Sequence, residues 1–251
     1  MDSKPTMFAS ALAGKTIDFT NTFTIVLEDA GKRYVVYTNP FCTESLFFKR
    51  SLEQGFAEAQ TREVVVREEQ DDETFQHLIN WVYGGTSTLQ GGSSSPLIKS
   101  VDLNGTQLTK LYILADKFLI GNLKNDIVDR FRYLQIGQIQ TGRIMDLQAL
   151  ETMPQRGPDS CQLKRLMIEY IASKFYHEAR NCSDWWTTKD KAPFQAQLKT
   201  MSERHHGLAL LVLTTTINVD KRTLHDQSEC VYHEHPKGFE KCSRIYGVHH
   251  C

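Results

Sequence analysis

The densest hydrophobic patterning lies between Leu108 and Phe131, read as LTKLYILADKFLIGNLKNDIVDRF. Leu108, Leu111, Tyr112, Ala115, Phe118 and Leu119 recur at helical spacing on one face, with Lys, Asp, Asn and Arg mostly on the other. Gly121 interrupts the pattern, which resumes at Leu123, Ile127, Val128 and Phe131. The stretch predicts a core-building helical hairpin with its turn at Ile120-Gly121. It carries no reactive constellation, so the question is what it packs against.

The upstream pattern supplies a sheet and two further helices. Residues 1–19 show little periodicity and are expected to form a flexible leader. Phe23 to Leu27 alternates apolar and mixed side chains, Glu-Asp-Ala-Gly-Lys offers a turn, and Tyr34 to Tyr37 follows as a second β-type run, which together predict a hairpin. Asn39-Pro40 predicts a helix start, with Asn as cap and Pro at the first position; its apolar face is Phe41, Leu46, Phe47 and Leu52, and Gly55 ends it. Val64 to Val66 predicts a third strand. Asp71-Asp72-Glu73 suits a helix N-terminus, the following stripe is Phe75, Leu78, Ile79, Val82 and Tyr83, and Gly84-Gly85 closes the helix. Residues 86–105 have the Gly/Ser-rich composition of a loop insertion.

The second half reads as helical. Residues 134–160 hold Gly137, Gly142, Pro154, Gly157 and Pro158 and predict a partly ordered connection, in which Leu147 and Leu150 leave room for a helical turn. Leu163, Leu166, Met167, Tyr170, Ile171 and Phe175 predict an amphipathic helix extending toward Arg180, broken by Asn181-Cys-Ser-Asp184 and followed by Trp185-Trp186. Phe194 to Met201 predicts a further short helix. Leu208 to Ile217 is apolar on nearly every side and fits either helix or strand, with helix packed on the Ile168 face preferred. The predicted class is α+β: a module over 20–133, a connection over 134–160, a helical region over 161–220 and a tail over 221–251.

Composition narrows the function classes. The chain has 251 residues, 40% hydrophobic and 24% charged, with a formal net charge of -1, so charge gives no case for direct nucleic-acid or anionic-membrane binding. No apolar run is long enough to span a bilayer, and the N-terminus shows no secretory h-region. The six cysteines then read as reduced thiols or metal ligands, and the expected location is intracellular, nucleus or cytoplasm. No nucleophile-base-acid arrangement or phosphate loop is visible, so an enzyme is not expected.

At this point several strings, in order, resemble a BTB/POZ domain of the kind abundant in filamentous fungi. They are Phe23 to Leu27; Tyr34 to Phe48 (YVVYTNPFCTESLFF), with Ser45 and Phe48 at the places of the family's S-x-x-F; Phe56 to Gln60; Phe75 to Tyr83 (FQHLINWVY); and Leu111 to Leu123 (LYILADKFLIGNL). The match covers residues 20–133, about half the chain. The resemblance implies a small mixed sheet with flanking helical hairpins, followed here by a mainly helical C-terminal region. It also implies a non-catalytic interaction module that self-associates as a homodimer, binds a scaffold, or both. Phe56-Ala57-Glu58 fits the hydrophobic-x-Glu pattern by which BTB adaptors engage cullin scaffolds of ubiquitin ligases. An apolar anchor supplies burial and the adjoining carboxylate supplies orientation. The alternative is that Phe56 packs into its own domain and Glu58 is a solvated charge. Thr22 and Val35 stand where well-studied transcriptional members carry an Asp and a basic residue, and Tyr37 where a His is common; these departures weigh against a corepressor pocket and the standard dimer. A transcription-associated role through partners is the second functional reading.

The tail adds the remaining chemistry. Cys230, His233, His235 and Cys242 are thiol and imidazole groups, the ligands zinc prefers, and four suffice for a closed structural site. Cys230-x-x-His233 has the spacing of a shared chelating turn, although Cys-x-x-His-x-His-x6-Cys matches no standard finger. The tail's string CVYHEH with the later Cys242 is also similar to one that often ends fungal BTB proteins. The alternative is a zinc-free tail that docks on the helical half through Tyr232.

Overall fold

The computed structural model describes residues 20–53, 55–67, 71–85, 103–141, 147–153, 161–179, 196, 199–200, 202–204 and 206–218. These fall in two compact units, one holding 20–85 and 111–126, the other 103–110 and 127–218. The fold is mixed α+β, mostly helical, with one small three-stranded sheet. Among the described residues no helix is long and apolar enough to cross a membrane.

In the first unit, β1 (Thr22–Leu27) and β2 (Lys32–Tyr37) form the expected antiparallel hairpin, in register from Thr22↔Tyr37 to Leu27↔Lys32. Gly31 takes φ +63° in its turn, a conformation without steric cost only for glycine. The third strand, β3 (Glu63–Val66), runs parallel to β1, giving the order β2-β1-β3. Phe23, Ile25, Leu27, Val36, Val64 and Val66 are buried on one face. Thr24 and Val26 are half-buried on the other, where Val35 and Val65 are exposed.

The helices after the hairpin differ from the expected single segment. Helix α1 (Thr38–Glu44) begins directly after β2, with Tyr37 at the N-cap and no side-chain cap. Asn39 is therefore not the cap; its Oδ1 accepts the Thr43 hydroxyl at 3.2 Å. Pro40 occupies the third position, where its missing N–H is one of the four without an intrahelical acceptor. The chain then breaks at Ser45 (φ -120°, ψ 116°), and α2 (Leu46–Ser51) starts afresh in a new direction. Leu46, expected in the apolar face, is consequently 53% exposed, while Phe41 and Phe48 are fully buried. The Ser45 hydroxyl accepts the Phe48 N–H at 3.1 Å and donates to the Phe118 carbonyl at 2.6 Å.

A short α3 (Ala57–Thr61) leads into β3. Helix α4 (Asp72–Gly85) has the expected acidic start, with Asp71 Oδ1 accepting the Thr74 N–H at 3.0 Å. Phe75, Leu78, Ile79, Trp81 and Val82 are buried. The Trp81 indole N–H donates to Asp126 Oδ2 at 2.9 Å within the core.

The helical hairpin is α5 (Gly105–Lys117) and α6 (Gly121–Thr141). Asn104 and Gln107 cap α5 reciprocally: Asn104 Oδ1 accepts the Gln107 N–H at 2.9 Å, and Gln107 Oε1 accepts the Asn104 N–H at 3.0 Å. The turn differs from expectation in one respect. It centres on Leu119, which adopts φ +54° and is 48% exposed rather than part of the apolar face. Phe118 stacks on Phe48 with ring centroids 4.9 Å apart, and Lys124 Nζ donates to Asp116 Oδ1 at 2.6 Å.

In the second unit, α6 continues to Thr141, through the Gly137 expected in a connection, and α7 (Leu147–Thr152) supplies the anticipated turn around Leu150. Helix α8 (Gln162–Ala179) buries Leu163, Leu166, Met167, Ile168, Tyr170 and Ile171. The segment left open between helix and strand is helix α9 (His206–Asn218), packed against α8. Thr214, Thr215 and Thr216 each return their hydroxyl to the carbonyl four residues back at 2.8 Å, which lets β-branched polar residues sit in an apolar helix. Most of the Phe194 to Met201 segment, Trp185-Trp186 and the loop over 86–102 lie outside the described residues.

Candidate functional site

The candidate surface is built by the chain between α2 and β3. Gly55 takes φ +107°, where an L side chain is strained, and it turns the chain into Phe56. Phe56 is the N-cap of α3 in extended conformation (φ -98°, ψ 151°), with the Ala59 N–H donating to its carbonyl at 3.2 Å. No residue of α3 is buried. Phe56 is 54% exposed and Glu58 is half-buried in the first turn of α3, where the helix N-terminus favours a carboxylate. Phe56 thus lies outside the buried core of its unit.

Arg62 closes the segment and was not singled out by the sequence. It is the C-cap of α3 at φ +55°, a left-handed conformation that costs a non-glycine residue about 1 kcal/mol. Its guanidinium donates to the Thr22 carbonyl from Nε at 3.2 Å and Nη2 at 2.8 Å, and to Thr38 Oγ1 at 2.7 Å. One side chain thus ties the end of α3 to the starts of β1 and α1. The sequence signal would have been the absence of Gly or Asn where a five-residue helix turns into a strand.

The other positions of interest fall elsewhere. Thr22 is exposed and contributes its carbonyl to Arg62, and Val35 is 72% exposed, so neither lines a charged pocket. Tyr37 is half-buried and its ring meets Tyr83 edge-on at 6.3 Å. Tyr34 donates to Asp72 Oδ1; burial, then the hydrogen bond and charge of Asp72, push its phenol up to about 12. Burial likewise raises the Cys42 thiol, against the lowering effect of the Arg62 charge. Cys230, His233, His235 and Cys242 lie outside the described residues, and among the described residues no group of three or more His, Cys, Asp or Glu is arranged to hold a metal ion. No model of a known protein family matches the chain, and no curated protein matches it significantly.

Proposed function

We propose that this chain is a non-catalytic protein-interaction module of BTB/POZ type that engages a scaffold protein through the turn bearing Phe56 and Glu58. A cullin of a ubiquitin ligase is the partner whose recognition pattern these residues fit. The observation that carries the reading is Phe56, 54% exposed beside a first-turn carboxylate on a short helix with no fully buried residue. An exposed aromatic costs solvation in the free protein and returns it when a partner pocket covers it. Further support comes from the order strand, strand, helix, strand, helix and helical hairpin, the order in which the resembling strings lie, although three short helices stand where one was expected before β3. The Ser45 cap over a buried Phe48 gives the S-x-x-F string a physical role consistent with it.

The test is titration calorimetry of the full chain against the N-terminal domain of a cullin. Phe56→Ala is expected to weaken binding by at least about thirtyfold, the equivalent of a 2 kcal/mol hot spot. Its circular dichroism should be unchanged, because the ring contributes little to the core. Equal affinity of the variant and the parent overturns the adaptor reading.

A further inference from the structure

Two exposed leucines flank one seam of the first unit. The corner between α1 and α2 is held to the turn between α5 and α6 by three contacts. The Ser45 hydroxyl donates to the Phe118 carbonyl at 2.6 Å, Asn122 Nδ2 donates to the buried Glu44 at 3.0 Å, and the Phe47 and Phe118 rings lie 5.4 Å apart. Leu46 follows Ser45 and is 53% exposed; Leu119 follows Phe118 and is 48% exposed. Leu119 is also strained. The Ile120 N–H returns to the Ala115 carbonyl at 2.8 Å, the long closing bond of a Schellman turn, and Leu119 takes its left-handed position at φ +54°, where glycine is usual. A half-exposed leucine adds little to the core, and strain of this kind collects at sites of contact. Charge then narrows what the contact is. Lys49 and Arg50 lie three and four residues past Leu46, on the same face of α2. Both are exposed, and among the described residues neither forms an ion pair. The acids of the seam are engaged elsewhere, Asp116 by Lys124 and Glu44 by Asn122.

We propose that this seam docks an acidic amphipathic segment of another protein, with its apolar side chains on Leu46 and Leu119 and its carboxylates on Lys49 and Arg50. The leucines supply burial and the cations supply orientation and choice of partner. A second copy of the chain does not fit, because two-fold contact at this patch would set Lys49 and Arg50 against the same cations. A nucleic acid would neutralise the cations and leave both leucines in water. The seam uses none of the residues of the Phe56 turn, so the inference goes beyond the scaffold reading and does not depend on it.

Peptides displayed on phage, selected on the immobilised full chain and then measured by fluorescence anisotropy, test it. The selected sequences are expected to combine Asp or Glu with Leu, Ile or Phe, and their binding should weaken as salt rises. Lys49→Glu with Arg50→Glu should weaken a selected peptide at least about tenfold, with the parent's circular dichroism, and exchanging the peptide's acids for lysines should restore binding to that variant. Leu119→Gly separates contact from structure. It relieves the left-handed strain, so it should melt above the parent and yet bind the peptide about fivefold more weakly, a combination that a purely structural leucine would not give. Phe56→Ala should bind the peptide as the parent does. Selection of no acidic peptide, unchanged affinity in the charge reversal or in Leu119→Gly, loss of binding in Phe56→Ala, or tighter binding of single-stranded DNA than of the peptide overturns the proposal.

Discussion

Ser45→Ala tests how the first unit is held together, because one hydroxyl at 1% exposure serves two elements far apart in sequence. As the N-cap of α2 it accepts the Phe48 N–H at 3.1 Å, and as a donor it meets the Phe118 carbonyl in the hairpin turn at 2.6 Å. Loss of an N-cap costs about 1 kcal/mol. A buried carbonyl deprived of its donor costs about 1–3 kcal/mol more. The sum is about 2–4 kcal/mol, and at about 2–4 °C per kcal/mol for a chain of this size the melting temperature should fall by roughly 4–16 °C. Thermal melts followed by circular dichroism, with urea titrations to check that the m value is unchanged, measure it. Thr43→Ala is the control, since that exposed hydroxyl only meets Asn39, and its effect should stay within about 0.5 kcal/mol. A Ser45→Ala shift below about 1 °C would refute the reasoning, because it would mean that neither bond contributes in solution.

Three further outcomes follow from the same geometry. Leu119→Gly removes a side chain from a left-handed residue that is half exposed, so stability should rise by up to about 1 kcal/mol in denaturant titration, whereas the β-branched Leu119→Val should lower it. Because the Tyr34 phenol is raised from 10.0 to about 12 in the folded chain, its contribution is complete below pH 10 and is lost as pH climbs from there through 12; Tyr34→Phe should flatten the stability profile in that alkaline window. Arg62→Ala loses three hydrogen bonds and keeps the left-handed strain, while Arg62→Gly loses the bonds and relieves the strain, so Ala should melt lower than Gly by about 1 kcal/mol's worth.

The alternation of Phe23, Ile25 and Leu27 with half-buried neighbours made the hairpin legible, since period and burial coincide on a strand. The stripe of α4 was legible for the same reason at helical period. Leu46 and Leu119 misled because spacing was counted across a point where the backbone changes direction, at Ser45 and at Leu119 itself. At the first break the Ser45 N-cap is a local signal, and its hydroxyl also bonds the Phe118 carbonyl beside the second break, across 73 residues. Asn39-Pro40 misled differently: the dipeptide is a good helix start, but β2 hands its last ladder bond to Thr38 and leaves no linker, so the helix begins earlier. Helix and strand were indistinguishable for α9 because its apolar residues surround the axis, and packing on α8 decided the matter. At the candidate site the Phe56-x-Glu58 string was visible, but not what fixes it.

What fixes it bears on how the surface works. The segment 56–61 lies between two left-handed residues, Gly55 at φ +107° and Arg62 at φ +55°. The first conformation comes freely to glycine, and the second is offset by three hydrogen bonds from the guanidinium. Those bonds land on the Thr22 carbonyl and the Thr38 hydroxyl, so the exposed helix takes its position from the sheet. A ring exposed on a loose loop would lose conformational freedom on binding, at about 0.5–1.5 kcal/mol for each side chain ordered. A ring exposed on a segment whose C-terminal end is held by Arg62 has less backbone left to order on binding. The exposure of Phe56 is then a property of a pre-set surface, and Arg62, which lies beyond the α3 turn it closes, is the residue through which the fold sets it.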